Sequence, residues 1–142
     1  MQVSEIAFGG VEIGLPYGIG VNGRDDMIAE EDAITLLQTA VAKGFNFFDT
    51  ARLYGVSENI MGKAFRGCRQ DIVLATKCRH FRNAEGLLHS DKAIRDLIHL
   101  SLRESLTALQ TDYLDLYMLH QADMEILNRQ VIADEMLRLK KA

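Results

Sequence analysis

Two cysteines, one proline and no long apolar run set the first limits on this chain. Cys68 and Cys78 are the only cysteines among 142 residues. They are too few for a disulfide framework and lack the CxxC spacing of zinc and redox motifs. The expected setting is therefore reducing and cytoplasmic. Pro16 stands alone, and no stretch rich in Pro or Ser marks a linker, so residues 1–142 read as a single domain. No apolar run approaches the roughly 18 residues of a membrane span, and no basic segment followed by an apolar one opens the chain. Positive charge is also short. Lys and Arg number 16 against 20 Asp and Glu, a net charge of -4 and a pI of about 5.5. That balance argues against a nucleic-acid or anionic-membrane partner, since neither has the positive surface it needs. His80, His89 and His99 lack the acids or cysteines that would group them around a metal and read as surface or packing residues. Gly9-Gly10 with Gly14 matches neither G-x-G-x-x-G nor a phosphate loop. What is present is ordinary for a globular protein: 48% hydrophobic and 25% charged residues, with a mean hydropathy of -0.02. A chain of this length can bury one core without disulfides or metals.

The hydrophobic pattern alternates between strand-like and helix-like runs. A short strand at Ile6–Gly10 is followed by a glycine-rich loop through Gly23, and 5 of the 11 glycines fall before residue 21. A helix is expected over Asp32–Lys43, with Glu30, Glu31 and Asp32 at its start and Gly44 past its end. Phe45–Phe48 reads as a buried strand ending in Asp49. Ser57 is positioned to cap a helix over Glu58–Phe65. Ile72–Thr76 is apolar on both faces, as in a parallel sheet covered by helices. A polar loop, Arg79–His89, leads to the longest helix, Asp91–Leu109, capped by Ser90. Its stripe of Ile94, Leu97, Ile98, Leu102, Leu106 and Leu109 is close to a 3.6 period. A fourth strand, Leu114–Leu119, ends at His120, and a last helix spans Met124–Lys140. Strand and helix alternate four times at roughly 35 residues per unit, the size of a βαβ element. A parallel α/β sheet follows. Periodicity leaves two forms open, a doubly wound sheet or part of a (β/α)8 barrel.

In parallel α/β folds, chemistry gathers at the carboxyl ends of the strands. The second, third and fourth strands end in Asp49, Lys77 and His120, and Tyr54 follows Asp49 in its loop. Singly, each has a plain structural explanation: a capping Asp, a Lys leaving the core, a hydrogen-bonded His, a packed Tyr. Together they suit proton delivery to a carbonyl oxygen. A phenol titrates near 10 in water, and a nearby ammonium stabilises its phenolate. A carboxylate keeps that ammonium charged and oriented, and a neutral imidazole can place a substrate oxygen. The hydride must come from a nicotinamide or flavin, because no side chain can supply one. Cys78 beside Lys77 reads as a wall residue rather than a thiolate. Tyr17, Tyr113 and Tyr117 read as packing, and Asp112, Asp115 and Asp123 as solvated loop or cap positions.

At these residues the sequence resembles the aldo-keto reductases. Asp49-Thr-Ala-Arg-Leu-Tyr54-Gly55-Val-Ser57-Glu58-Asn-Ile-Met-Gly62-Lys-Ala64 is similar to that family's D-T-A-x-x-Y-G-x-S-E-x-x-x-G-x-A signature. Ala75-Thr76-Lys77 is similar to its T-K strand end. The stretch from Ser101 through Asp112-Tyr-Leu-Asp115-Leu-Tyr117-Met-Leu-His120 is similar to its S-L-x-x-L and D-Y-x-D-L-Y-x-x-H segments. The resemblance implies a (β/α)8 barrel and NADPH-dependent reduction of aldehydes and ketones. By the matched positions it implies Tyr54 as proton donor, Lys77 and Asp49 as the groups that tune it, and His120 as the residue orienting the carbonyl. Asp49 would also lie beside the nicotinamide. Two positions depart from the pattern: Gln110 stands where Gly is common, and Gln121 where an aromatic often follows the His.

A complete barrel needs roughly 200 to 250 residues or more. The expectation is therefore the N-terminal half of such a barrel, truncated after the fourth βα unit, with a small carbonyl compound as substrate. The catalytic quartet is present. The family's later Ser-Asn pair, phosphate-binding loop and 2′-phosphate-selecting basic residues have no counterpart. Two readings follow, a carbonyl reductase and a non-catalytic binding or regulatory subunit. Free edges at the first and fourth strands also suggest a homo-oligomer.

Overall fold

The computed structural model describes residues 2–141. Four short parallel strands, β1 (Phe8–Gly9), β2 (Phe47–Asp49), β3 (Val73–Lys77) and β4 (Leu116–Met118), lie side by side in chain order. The register sets Gly9 against Asp49, Asp49 against Ala75, and Lys77 against Met118. The helices that follow them are α2 (Glu30–Ala42), α3 (Ser57–Ala64), α4 (Asp91–Leu109) and α6 (Gln130–Leu139). Each packs on the next, α2 on α3, α3 on α4 and α4 on α6, so all four cover one face. A doubly wound sheet reverses strand order and places helices on both faces. The sequential order with helices on one side is instead an arc of a (β/α)8 barrel.

The core lies between that arc and its helices in two clusters. Phe48, Leu74, Leu37, Met61 and Phe65 fill one. Phe48, fully buried, packs at a tilt against Phe65 with ring centroids 4.5 Å apart. Ile94, Ile98, Phe81, Ile126 and Ile132 fill the other. Phe48 in the first cluster and Ile98 in the second are each completely screened from water, so cutting either to Ala removes several kcal/mol, on the order of 2–5.

The elements differ from the sequence expectations where tertiary contacts intervene. The loop after β1 contains one short helix, α1 (Val11–Gly14), and a turn at Arg24–Asp26. Ser57 is the first residue of α3 rather than its cap; Val56 takes the cap position and makes no side-chain bond there. The Ser57 hydroxyl instead accepts from Thr50 Oγ1 at 2.9 Å. Ser90 does cap α4, its hydroxyl accepting from the Ala93 amide. Along α4 the face turned to the core is Ile94, Ile98, Ser101, Ser105, Ala108 and Leu109. Leu97, Leu102 and Leu106 are only half-buried. Small residues face inward because α3 crosses closely: a Cβ on Gly62 would meet the Ala108 carbonyl oxygen at 2.4 Å. The last helix is two pieces, α5 (Met124–Leu127), capped by Asp123, and α6. The break shifts the helical phase, burying Ile126 and leaving Leu127 exposed.

Candidate active site

The carboxyl ends of β2, β3 and β4 bring Asp49, Lys77 and His120 to one end of the arc, and the loop from Thr50 to Val56 adds Tyr54. Lys77 Nζ donates to both Asp49 oxygens, at 2.7 and 2.6 Å, and to the Thr50 carbonyl at 3.1 Å. All three ammonium protons are thereby engaged. Nζ lies 5.0 Å from the Tyr54 ring centroid, so the cation acts on the phenol through its field. Tyr54 meets the His120 ring edge to face, centroids 5.5 Å apart. The four positions singled out in the sequence thus form one cluster, half-buried and open to one side.

Two neighbours escaped the sequence reading. His80, expected as a surface or packing residue, is exposed yet packs its ring against His120 at 4.9 Å. Its signal was only its place three residues beyond Lys77. Glu58, quoted within the motif without a role, is fully buried beneath the site. His120 carries a buried Nδ1 with no hydrogen-bond partner among the described residues. Burial, and then the His80 and Lys77 charges, hold its imidazole below the ordinary histidine pKa, with Asp49 pulling weakly the other way. The ring is therefore neutral at physiological pH, a hydrogen-bond donor rather than a cation.

The Tyr54 loop is fixed by backbone packing against α1. Gly14 and Gly55 meet there: a Cβ on Gly14 would lie 1.9 Å from the Tyr54 carbonyl oxygen, and one on Gly55 2.1 Å from the Gly14 carbonyl oxygen. Gly55 also holds φ +54°, a left-handed conformation that glycine adopts without penalty. Val56 N–H donates to the Gly14 carbonyl and Ser57 N–H to that of Tyr54. Gly14, which reads as part of a loose glycine-rich loop in the sequence, is with Gly55 the seat of this turn.

Other candidates resolve plainly. Cys78 is buried, and desolvation pushes its thiol up to about 11, so it has no thiolate character at neutral pH. The Tyr117 hydroxyl donates to the Ile98 carbonyl at 2.9 Å, a packing role. Asp115, expected to be solvated, is a structural tie: its Oδ2 accepts from the Leu74 amide and from Arg69. No group of His, Cys, Asp and Glu able to hold a metal occurs among the described residues. No described helix is long and apolar enough to cross a membrane. The cations nearest the site are paired: Arg52 with Glu58, Arg79 with Glu104, Lys77 with Asp49.

Known proteins resemble this chain in sequence and in fold. Residues 5–141 match the model of the aldo/keto reductase family. L-galactose dehydrogenase of Arabidopsis thaliana is 32% identical over 99% of this chain, which spans 41% of that protein. The aldo-keto reductase AKR11C1 of Bacillus halodurans, in its holo form, superposes with a TM-score of 0.73 at 32% identity, covering 99% of this chain and 43% of its own. An aldo-keto reductase of Klebsiella pneumoniae solved in complex with NADPH aligns over 90% of this chain and 40% of its own, at 28% identity and a TM-score of 0.60. The chain thus spans about two fifths of each of these relatives. With its strand order, its strand-end cluster and a family match along nearly its full length, this chain belongs to the aldo/keto reductase family.

Proposed function

We propose that the strand-end cluster reduces the carbonyl of a small aldehyde or ketone to an alcohol with NADPH. The observation that carries the reading is the Asp49–Lys77 ion pair seated beside Tyr54 and His120. The described residues fit the nicotinamide end of such a cofactor. Asp49 lies at the mouth with its side chain 31% exposed, and Gly9, opposite it in register, has open space where a Cβ would be. They do not supply a phosphate cradle, since the neighbouring arginines are committed to carboxylates. Any part of the protein beyond these residues would carry that contact.

When bound, the nicotinamide supplies a hydride to the carbonyl carbon. Neutral His120 donates a hydrogen bond to the carbonyl oxygen and sets its orientation. The Tyr54 hydroxyl gives its proton to the oxygen as negative charge develops there. Lys77 stabilises the phenolate left behind by charge rather than by contact, and Asp49 keeps Lys77 in place through both of its oxygens. The paired arginines favour a second reading, a non-catalytic subunit of the same fold. Titrating NADPH fluorescence against the chain separates the two. The reductase reading requires binding at micromolar protein; its absence would remove that reading for this chain.

A further inference from the structure

Beneath the cluster lies a buried carboxylate that the proposed chemistry does not use. The Glu58 side chain, in the first turn of α3, is 0% exposed. Its Oε1 accepts from Thr76 Oγ1 at 2.7 Å, and its Oε2 pairs with Arg52 Nη1. Thr76 immediately precedes Lys77. Arg52 lies two residues before Tyr54, and its backbone N–H donates to the Lys77 carbonyl at 3.1 Å. The same guanidinium approaches Glu104, which receives two hydrogen bonds from Arg79 at 2.8 and 3.1 Å. One residue before Glu58, Ser57 takes the Thr50 hydroxyl, next to Asp49. The first turn of α3 is therefore tied to the residues flanking both Asp49 and Lys77, and to the loop that carries Tyr54.

Stability alone does not call for this arrangement. A buried carboxylate is costly unless paired, and an apolar replacement of a buried ion pair is often neutral or stabilising. The pair also leaves Arg52 Nε buried without an acceptor. What an ionic link adds over packing is direction: it fixes where the Arg52 backbone, and so the Tyr54 loop, sits against β3. We infer that Glu58 is a positioning residue, holding Tyr54 over Lys77 and against His120 through Arg52 and Thr76. The inference rests on the reading of Tyr54 as proton donor, yet its test needs neither cofactor nor turnover.

The test is NMR of the full chain with ring-labelled tyrosine, the Tyr54 signal assigned by Tyr54→Phe. The His120 ring and the Lys77 ammonium beside Tyr54 displace its ring resonances from free-tyrosine values. Glu58→Gln removes the charge at constant shape, and Thr76→Val removes the link to β3. Both should move the Tyr54 resonances toward the free values while the Leu74 and Ile94 methyl signals stay in place. Thr76→Ser, which keeps the hydroxyl, should restore the wild-type signal. Unmoved Tyr54 resonances in the folded variants would overturn the inference. So would Tyr54 and core signals moving together, or Thr76→Ser behaving like Thr76→Val. If Glu58→Gln does not fold, the two Thr76 variants decide alone. A failed NADPH titration leaves this result standing, and a failure here leaves the titration standing.

Discussion

The surroundings of His120 set its charge state from several sides. Burial is the larger cause of its low pKa, His80 and Lys77 add to it, and Asp49 opposes them. Tyr54 contributes its ring edge without charge. In a ring-proton NMR titration, His120 should therefore show a midpoint below 6.5, the ordinary histidine value. His80→Gln should raise that midpoint while leaving it below 6.5, because burial remains. A His120 midpoint unmoved by His80→Gln would remove His80 from the cluster's electrostatics. The sign for stability follows from linkage. The unfolded chain binds this proton more readily, so the His120 contribution is complete above about pH 6.5 and is lost as pH falls through its native midpoint. That Asp49, Lys77 and His120 come together, with Tyr54 in the loop after Asp49, was legible in the sequence because strand ends are countable from the apolar runs before them. His80 was not, because its approach to His120 depends on how the loop after β3 folds back.

Among the elements, α4 shows both what sequence pattern can carry and where it stops. Its bounds and its Ser90 cap were legible, since a serine before a long periodic run is a local signal. Its buried face was legible in part: Ile94, Ile98 and Leu109 of the expected stripe are buried, whereas Leu97, Leu102 and Leu106 are half-buried and close contact with Gly62 turns Ser101, Ser105 and Ala108 inward. Ser57 misled for the same reason, its hydroxyl being claimed by Thr50. The Gln110 departure from the family pattern also has a physical meaning. Gln110 ends α4 at φ 55°, ψ 43°, the left-handed conformation that favours glycine, and the Thr111 N–H closes on the Leu106 carbonyl. Its side chain recovers part of the cost by accepting from Arg66 at 3.1 and 2.8 Å. Relief of that strain is worth about 1–2 kcal/mol, and an exposed polar contact about 0–1 kcal/mol. Gln110→Gly should thus raise the thermal midpoint by a few degrees, read by circular dichroism. A lowered midpoint would show that the Arg66 contact outweighs the backbone strain.

For the whole molecule, the strand order decides the architecture that periodicity left open. Four parallel strands in chain order, with helices on one face, make half of a barrel wall, and the outer edges of β1 and β4 carry no partner among the described residues. Beside β4, Leu102, Leu106, Leu114, Leu116, Met136 and Leu139 line a groove of about 870 Å³. In a closed barrel such surface is covered. Unpaired edges and open apolar surface favour association, so sedimentation velocity should show the chain self-associating as concentration rises. A single monomeric species up to high micromolar concentration would contradict this.

In the proposed reaction Tyr54, set by Lys77 and Asp49, delivers the proton. Carbonyl-dependent NADPH oxidation by the wild-type chain and Tyr54→Phe, measured beside NADPH binding for both, tests it most directly. The prediction is turnover by the wild type, a loss of about 10²–10⁴-fold or more in Tyr54→Phe, and nearly unchanged binding. Equal turnover by the two proteins would contradict it.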